Sequence, residues 1–445
     1  MSISTFRKSV FFALCLGAAA SAQQNTPSRG SSPATDPGPR GGAPAAGNPL
    51  AGLSAAQLAA FLDGQVRFAK VDAVVPDGLG PRFNSNSCGS CHAQPANGGS
   101  SPDANPQMAF ANSANQMPSF IEAHGPVREA RFIKNSAGAP DGGVHNLFVI
   151  SGRSDTPAGC NISQENFSDL ANISMRIPTP TFGLGLIEAV SDAALVQNLA
   201  GNPVLKSQLG ITGTFNLSGN NGTITRYGWK AQNQSLTIFA GEAYNVEMGV
   251  TNLVFPNERD DTPNCSPAAG PQDTFNLFSP APAVFDDVTA FATFMRFLAP
   301  PAPATAPQNA VTLSGAATFV SIGCALCHTA TLQTGASAFG PALSNQTIHP
   351  YSDFALHHMG PGLADQISQG LAGGDQFRTA PLWGLGQRYY FLHDGRTGDL
   401  MQVIAAHSSQ GNSQFPGSEA NAVIRNFDAL STAAQQALLN FLRSL

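Results

Sequence analysis

Apolar residues recur at helical spacing in three parts of this chain. The first follows Ser54-Ala55-Ala56-Gln57, which has the pattern of a capping box, and its apolar positions are Leu58, Phe61, Leu62 and Ala69. The second is halted by prolines that begin at Pro300 and comprises Val288, Phe291, Ala292, Met295 and Leu298. The third begins at Thr432-Ala433-Ala434-Gln435, a second capping-box pattern, and comprises Leu438, Phe441, Leu442 and Leu445. Each pattern predicts an amphipathic helix, and a shorter helix is expected over residues 316–322.

Strand signals fall between about residue 125 and residue 250. Residues 144–150 form an apolar run, and Asn221-Gly222 lies between two β-prone runs at residues 214–217 and 223–227. Asn-Gly favours the tight turn of a hairpin. The pattern predicts a loop-rich insertion with short strands in an otherwise helical chain.

The N-terminus has the pattern of a secretory signal peptide. Arg7 and Lys8 precede an apolar run over residues 10–20, and Ala20-Ser21-Ala22 offers a cleavage site. We therefore expect a signal peptide over residues 1–22, a mature chain that begins at Gln23, and export to the periplasm. Residues 23–49 are rich in Pro, Gly, Ser and Ala and predict a disordered tether. No later run reaches the ~18 apolar residues of a membrane span, so we expect no transmembrane segment.

The expected mature chain is mildly acidic. Loss of Arg7 and Lys8 leaves 20 basic residues against 28 acidic ones, so the formal charge becomes −8. Charged residues make up 11% of the chain, against roughly 25% in an average protein, while 45 Gly and 33 Pro are present. The charge argues against nucleic acid as a partner, and the composition predicts loops wrapped around apolar groups.

Two copies of Cys-x-x-Cys-His carry the chemistry: Cys88-Gly89-Ser90-Cys91-His92 and Cys324-Ala325-Leu326-Cys327-His328. In c-type haem attachment, the two thiols form thioethers with the porphyrin vinyl groups and the His binds the iron. With 7 Cys and 9 His in the chain, chance would produce only about 0.002 such motifs. We predict two covalently bound haem c groups with His92 and His328 as iron ligands.

Zinc and thiol redox sites also use Cys-x-x-Cys pairs. Zinc modules usually place two pairs ~15 to 20 residues apart, whereas 236 residues separate Cys88 from Cys324. A thioredoxin-like pair has no need for a His directly after the second Cys. Both readings fit the two motifs less well than haem does.

Two cysteines remain after the haem motifs and Cys15 of the signal peptide are set aside. Cys160 and Cys265 would be the only other thiols in an oxidising compartment, so we predict that they form a disulfide. Two buried free thiols are the alternative. A disulfide that closes a loop of about 100 residues stabilises by ~4.7 kcal/mol in the chain-entropy model.

The order helix, then haem motif, occurs twice and is that of a cytochrome c domain. We therefore predict a mainly α fold of two tandem class I cytochrome c-like domains, the first enlarged by the loop-rich insertion with short β-strands. The N-terminal haem domain would cover residues 50–299 with the insertion at about 125–250. Residues 300–310 would form a linker, and residues 311–445 the C-terminal cytochrome c domain.

Two further segments carry a family resemblance: Phe377-Arg378-Thr379-Ala380-Pro381-Leu382-Trp383-Gly384-Leu385-Gly386 and Phe391-Leu392-His393-Asp394-Gly395-Arg396-Thr397. With the two haem motifs, they resemble the di-haem cytochrome c peroxidase and MauG-like superfamily. The chain is most similar to its di-haem oxidoreductase branch, also called thiol oxidoreductase-like. The resemblance runs from about Leu50 to the C-terminus and includes residues 176–180 and 241–249. These motifs are specific for the superfamily and less so for one reaction.

The resemblance implies a second axial ligand for the C-terminal haem. The family places it fourteen residues after the His of His-Asp-Gly, and counting from His393 reaches His407. Peroxidases of the family carry Met there and MauG-like enzymes carry Tyr, so His407 is a departure that implies a bis-His haem of lower potential. Met359 is the rival ligand, and a surface position on a helix is the alternative for His407.

For the N-terminal haem the resemblance implies an open iron. Family peroxidases keep a detachable His about sixteen residues after the motif, where this chain has Met108. The candidate sixth ligands are Met108, Met117, His124 and Met248, although each residue is more often packing or surface. We expect an iron that binds peroxide or dioxygen.

Three residues of the insertion are candidates for catalysis. By resemblance to peroxidatic relatives, Trp229 is the first choice for an aromatic electron bridge between the haems, with Trp383 second. Glu247 is a candidate acid or base for O–O cleavage, and Tyr244 for the wall of the pocket. Core packing is the alternative for the aromatic residues, and exposure on a loop is the alternative for Glu247.

Three functions are consistent with the sequence: a peroxidase-like oxidoreductase, which we favour, an electron-transfer cytochrome, and an oxygenase similar to the rubber-cleaving di-haem enzymes. An electron carrier requires both irons to be six-coordinate. We expect a small oxidant and a periplasmic redox partner, either a small cytochrome or a copper protein. A calcium ion between the domains is also implied, but Arg388-Tyr389-Tyr390 stands where the family has Thr-x-Pro before His-Asp-Gly.

Overall fold

Helices carry most of the regular structure. The computed structural model describes residues 33–41, 45–266, 270–274, 286–304 and 309–445. The helices in these residues are α1 (Ala55–Phe68), α2 (Cys88–Cys91), α3 (Leu184–Glu188), α4 (Asp192–Leu199), α5 (Pro203–Leu209), α6 (Leu236–Met248), α7 (Asp287–Phe297), α8 (Ala310–Ser321), α9 (Leu400–Ala406), α10 (Asn421–Asp428) and α11 (Thr432–Ser444). The predicted signal peptide, the start of the predicted tether and part of the predicted linker lie outside the described residues. Within the described part of the chain, no helix combines the length and apolar character needed to cross a bilayer.

The strands are short and pair antiparallel. They are β1 (Arg82–Phe83), β2 (Glu129–Phe132), β3 (Val144–His145), β4 (Phe148–Val149), β5 (Ile173–Arg176), β6 (Leu332–Gln333), β7 (Thr347–Ile348), β8 (Leu356–His358) and β9 (Gln376–Arg378). The largest sheet has the order β3-β2-β5, and the others are the pairs β1-β4, β6-β7 and β8-β9. The strand predicted over residues 144–150 is present as β3 and β4, whereas β1, β2, β5 and β6–β9 were not predicted because they are too short for a period-2 signal.

Helices α1 and α7 cross beside the first haem motif. Phe61 and Phe68 of α1 pack on Phe294 of α7, with ring centroids 5.3 and 4.9 Å apart. The crossing is close because Gly64 has no side chain: a Cβ there would lie 2.4 Å from the carbonyl oxygen of Ala290. Phe68 also contacts the ring of His92 at 5.9 Å, so this helix pair supports the first motif.

The second haem motif has a similar helix pair. Helices α8 and α11 cross at Gly315, where a Cβ would lie 2.0 Å from the carbonyl oxygen of Ala437. Phe319 of α8 meets Phe441 of α11 edge to face, with ring centroids 5.5 Å apart, and its ring lies 6.3 Å from the ring of His328. Each haem motif thus follows a helix that crosses a later helix at a glycine, and these contacts belong to two separate hydrophobic clusters. All of these residues belong to one compact unit, Ala34–Leu445.

Several local predictions need correction. The capping box at Ser54 and Gln57 forms, but α11 is capped by Ser431, whose side chain accepts from the amide of Ala434, because Thr432 is already helical. Helix α8 begins at Ala310, six residues before the predicted start. The Asn221-Gly222 hairpin forms but is shorter than predicted: Leu217 bridges Ile224, and the backbone amides of Ser218 and Thr225 donate to the carbonyls of Thr223 and Asn216.

The end of the predicted tether packs on the folded unit. Asp36 forms an ion pair with Arg443 of α11 at 2.6 Å and accepts from the amide of Leu400 at 2.8 Å. The amide of Leu50 donates to the carbonyl of Phe297 at 2.8 Å. The prediction of disorder over residues 23–49 therefore does not describe the residues around Asp36. This part of the chain has few apolar side chains to bury, and the charged contacts of Asp36 hold it on the folded unit instead.

A disulfide joins Cys160 and Cys265, which are 105 residues apart in the sequence. Replacing both cysteines by alanine is expected to lower the free energy of unfolding by about 2–4 kcal/mol, because the unfolded chain regains the entropy that the closed loop removes. Denaturant unfolding of the haem-loaded protein measures the change, and mass mapping without reduction should recover the linked peptides. Two alkylatable thiols at these positions would contradict the pairing.

Candidate functional site

A cavity lies at each of the two haem motifs. Cavity 1 is lined by Cys88, Cys91 and His92. Cavity 2 is lined by Cys324, Cys327 and His328. The two thiols and the imidazole of each motif therefore face one cavity, where a prosthetic group attached to them would lie.

His92 is oriented for metal binding by its backbone. The motif forms the single turn of α2, and His92 follows it. The Nδ1–H of His92 donates to the carbonyl of Gly99 at 2.9 Å, which leaves Nε2 as the lone-pair nitrogen. Burial lowers the pKa of His92 to about 4, so the ring is neutral and able to bind a metal at physiological pH.

Cavity 2 contains two histidines held in the same way. The Nδ1–H of His328 donates to the carbonyl of Tyr351 at 2.9 Å, and that of His407 donates to the carbonyl of Val403 at 2.7 Å. Burial lowers the pKa of both rings, that of His328 to about 4, and the proximity of His407 contributes to the shift of His328. The prediction that His407 faces the second haem site is consistent with this geometry. Met359 lines the same cavity and remains the rival ligand.

The donor set of each cavity fits a c-type haem. Two cysteine sulfurs and one imidazole with a fixed tautomer lie at one wall, as thioether attachment and iron ligation require. In the described residues the cysteines of both motifs are free thiols, so none is used in a disulfide. Cavity 2 is mainly apolar elsewhere, which suits a porphyrin face, whereas cavity 1 has a more polar lining.

A pair of carboxyl groups lies in cavity 1. Glu129 pairs with Arg131 at 2.6 Å, and Glu247 is hydrogen-bonded to Glu129 and accepts from the amide of Asn84 at 2.8 Å. Burial opposes ionisation, but Arg131 holds the pKa of Glu129 down to about 2. Burial and the charge of Glu129 raise the pKa of Glu247 well above its usual range. The protonated form of Glu247 is therefore favoured, and in that form it donates its proton to ionised Glu129.

Trp229 lies between the two cavities and lines both of them. Its Nε1–H donates to the carbonyl of Ile177 at 2.9 Å, and its carbonyl accepts from the amide of Arg378 at 2.9 Å. The ring of His393 meets the indole edge at 6.5 Å and stacks on Phe377 at 4.4 Å. The insertion thus places one indole against both candidate haem sites.

Tyr244 and Trp383 are placed elsewhere. Tyr244 is not among the described residues that line cavity 1: its hydroxyl donates to Asp72 at 2.9 Å and its ring packs on Phe291 at 5.1 Å. The prediction that Tyr244 forms the pocket wall therefore needs correction, since α6 turns this residue towards the core while Glu247 faces the cavity. Trp383 is buried in the first hydrophobic cluster and lines neither cavity, so the alternative of core packing describes it.

The candidate sixth ligands of the first site lie in different environments, and only some of them line cavity 1. His124 is exposed and pairs with Asp103, Met108 is 40% exposed, and Met117 packs against the core. Met248 lines cavity 1, where its sulfur lies 3.8 Å from that of Cys88. Met295 of α7 lines the same cavity and was missed, because it belongs to an apolar helix stripe that resembles core.

Sequence reasoning also missed a buried ionic cluster beside Trp229. Lys230 and Asp365 are fully buried and lie 2.9 Å apart, and Arg176 contacts the same carboxylate at 2.7 Å. Lys230 also donates to the carbonyls of Gly373 and Gln376. Burial lowers the pKa of Lys230 to about 8. A lone lysine in a sequence carries no signal of burial, because lysines are mostly exposed.

Three potential metal-binding side chains meet near the second motif, namely Cys327, Asp353 and His357. Cys327 belongs to the haem motif, however, and both ring nitrogens of His357 are paired, with Asp353 at 3.1 Å and Glu419 at 2.8 Å. This group therefore offers little to a free metal ion, and the calcium prediction gains no support from it.

Comparisons with known proteins agree with the haem motifs. Residues 132–445 match the model of the family described as "Di-haem oxidoreductase, putative peroxidase". No curated protein matches the chain. Among solved structures, a MauG-like protein associated with microbial copper homeostasis is 14% identical, with a TM-score of 0.29 over 60% of this chain and 90% of that one. A Kuenenia stuttgartiensis hydrazine synthase is 13% identical, with a TM-score of 0.35 over 99% and 100% of the two chains.

The two structural likenesses are too distant to carry an argument about activity. The family model, in contrast, covers more than two thirds of the chain and includes the second haem motif, His393 and His407. The resemblance predicted from the residues is confirmed by this match, and a di-haem redox role follows from it. The chain belongs to the di-haem oxidoreductase family.

Proposed function

We propose that this protein is a periplasmic, peroxidase-like di-haem c-type oxidoreductase. One observation carries the proposal: among the described residues, His92 is the only histidine that lines cavity 1, whereas His328 and His407 both line cavity 2. When bound, a c-type haem supplies an iron that reacts with a small oxidant only if one axial position is open. The first site would therefore react with peroxide or dioxygen, and the second would transfer electrons.

The position of Glu247 in cavity 1 supports different roles for the two sites. A neutral carboxyl in a buried cavity can deliver a proton to a bound oxidant and recover it afterwards. Glu129 accepts the hydrogen bond of Glu247 and is itself held by Arg131, so the acid has a fixed orientation. Cavity 2 lacks such a pair, because Glu419 is the only carboxylate among its described lining residues and it is paired with His357.

Trp229 is proposed as the bridge between the sites. Trp229→Phe is expected to slow electron exchange between the haems by about tenfold or more and to leave cyanide binding unchanged, because the bridge lies outside the iron's coordination sphere. Stopped-flow spectroscopy after mixing with peroxide measures the exchange. Trp383→Phe is the matched control, since Trp383 lines neither cavity. Equal rates in the wild type and Trp229→Phe would contradict the bridge.

The electron-carrier alternative depends on the two methionines of cavity 1. Met248 and Met295 carry thioether sulfurs, which are known axial ligands of c-type haems. If either binds the first iron, both haems are six-coordinate and no oxidant enters. An oxygenase that acts on an apolar substrate gains less support, because Arg131, Arg176 and Glu247 place polar and charged groups in the lining of cavity 1.

Electron paramagnetic resonance of the ferric protein tests the proposal. We expect one high-spin and one low-spin haem, with cyanide binding and peroxide reaction confined to the high-spin species. His92→Ala should abolish both reactions. Two low-spin haems that stay inert to peroxide in every redox state would identify an electron carrier instead.

The cellular setting completes the proposal. A small periplasmic cytochrome or copper protein would exchange electrons with the second site. Export through the predicted signal peptide at residues 1–22 would bring the chain to the compartment where haem is attached. The proposed function does not require calcium.

A further inference from the structure

Two buried arginines in cavity 2 have no carboxylate partner among the described residues. Arg378 and Arg388 are each 8% exposed and line the cavity. Arg378 donates to the carbonyls of Gly228 and Thr379, and Arg388 donates to those of Pro381 and Trp383. In cavity 1, in contrast, Arg131 and Arg176 are each paired with a carboxylate.

The two guanidinium groups are also close enough to repel each other. Burial lowers the pKa of both to about 10, and the charge of Arg378 adds to the shift of Arg388. Glu419, the only carboxylate among the described residues that line the cavity, is already paired with His357. Two adjacent buried cations without an anion are strongly unfavourable, so this wall is suited to a ligand that brings negative charge.

We propose that Arg378 and Arg388 form a carboxylate-binding site in cavity 2 that pairs with the propionates of the haem attached at Cys324 and Cys327. A c-type haem carries two propionates, and its thioether links leave them free. Guanidinium groups bind carboxylates through charge-assisted hydrogen bonds. The proposal rests on haem attachment at the second motif and does not require the peroxidase-like activity.

The site also connects the cavity to the proposed bridge. Arg378 donates from its side chain to the carbonyl of Gly228 and from its backbone to that of Trp229. A propionate held by Arg378 would therefore be fixed beside the indole that lines both cavities. Arg378 would act as a positioning residue for the second haem.

Redox titration of the haem-loaded protein tests the site. In Arg378→Gln and in Arg388→Gln, the midpoint potential of the second haem is expected to fall, because a nearby cation favours the less positive ferrous iron. The expected change is about tenfold in the ratio of oxidised to reduced haem, which equals about 59 mV for one electron. Arg378→Lys keeps the charge and should shift the potential less. Arg425→Gln is the matched control, because it removes an exposed charge from α10, whose Val423 and Ile424 line the same cavity.

Resonance Raman spectroscopy provides a second readout. The propionate-bending band should move in Arg378→Lys, which loses the guanidinium fork but keeps its charge. An unchanged band together with an unchanged potential in Arg378→Lys would overturn the proposal, and so would a shift confined to the first haem. This test does not depend on whether the glutamine variants fold. Acetate is the probe for a soluble carboxylate: it should leave the wild-type spectrum unchanged. Saturable perturbation by acetate, lost in Arg378→Gln, would show an open site and overturn the assignment to propionates.

Discussion

Replacement of His407 by glycine is expected to convert the second haem from a low-spin to a high-spin or water-ligated form. The hydrogen bond from Nδ1 to the carbonyl of Val403 leaves Nε2 free to bind a metal in cavity 2. His328 of the motif is the proposed first ligand, so His407 is the remaining histidine with a free Nε2 at the ligand position that the family resemblance implies. Loss of this strong-field ligand removes the low-spin state. Electron paramagnetic resonance of the ferric variant measures the change.

Added imidazole separates a ligand role from a structural one. The His407→Gly variant leaves space for imidazole, which should restore the low-spin signal if the lost group bound the iron directly. Met359→Leu is the matched control, because Met359 lines the same cavity and is the rival ligand. A low-spin signal that survives in His407→Gly and disappears in Met359→Leu would transfer the role to Met359.

Replacement of Glu247 by glutamine is expected to reduce the rate of peroxide reaction at the first site by about 10²–10⁴-fold, the usual contribution of a positioned general acid or base. Glutamine keeps the shape and can still accept from Asn84, but it has no proton to transfer. Cyanide binding should change little, because it needs only the open iron. Stopped-flow absorption measures both, and Glu122→Gln, which alters an exposed carboxylate, is the control.

The rate of the peroxide reaction at the first site is expected to fall as the pH rises. The pKa of Glu247 is raised by burial and by ionised Glu129, so the reactive neutral form extends to higher pH than in a free glutamate and is lost as the pH rises through the raised pKa. The same shift lowers the folding stability as the pH increases from about 4.3 to the raised pKa. In this range the folded state keeps a proton on Glu247 that the unfolded state has released. Glu129→Gln removes the repelling charge and should move the rate profile towards lower pH. A profile that does not move would contradict the coupling of the two carboxyl groups.

The sequence alone determined the chemistry that depends on adjacent residues. Cys88, Cys91 and His92 lie within five positions, as the proposed thioether attachment and iron ligation by one haem require, and the same holds for Cys324, Cys327 and His328. The amphipathic helices α1, α7 and α11 could also be predicted from the sequence, because helical periodicity is recognised from residues three and four positions apart. The disulfide partners followed from counting cysteines.

The tertiary structure decided which side chains face the cavities and what charge they carry. Trp229 lines both sites only because the insertion folds back and its Nε1–H reaches Ile177, 52 residues earlier. Glu247 and Tyr244 are three residues apart on α6, yet only Glu247 faces cavity 1. Its proton depends on Glu129, which a different element supplies.

The same reason explains why two buried cations were not foreseen. Lys230 and Arg378 have the side chains of surface residues, and nothing within helical or strand spacing marks them as buried. Burial and ionisation are set by contacts between segments far apart in the chain, whereas motifs and periodicity report only neighbours in sequence. The sequence alone therefore determined where the two candidate haem-attachment motifs lie, and only the fold decided how their surroundings differ.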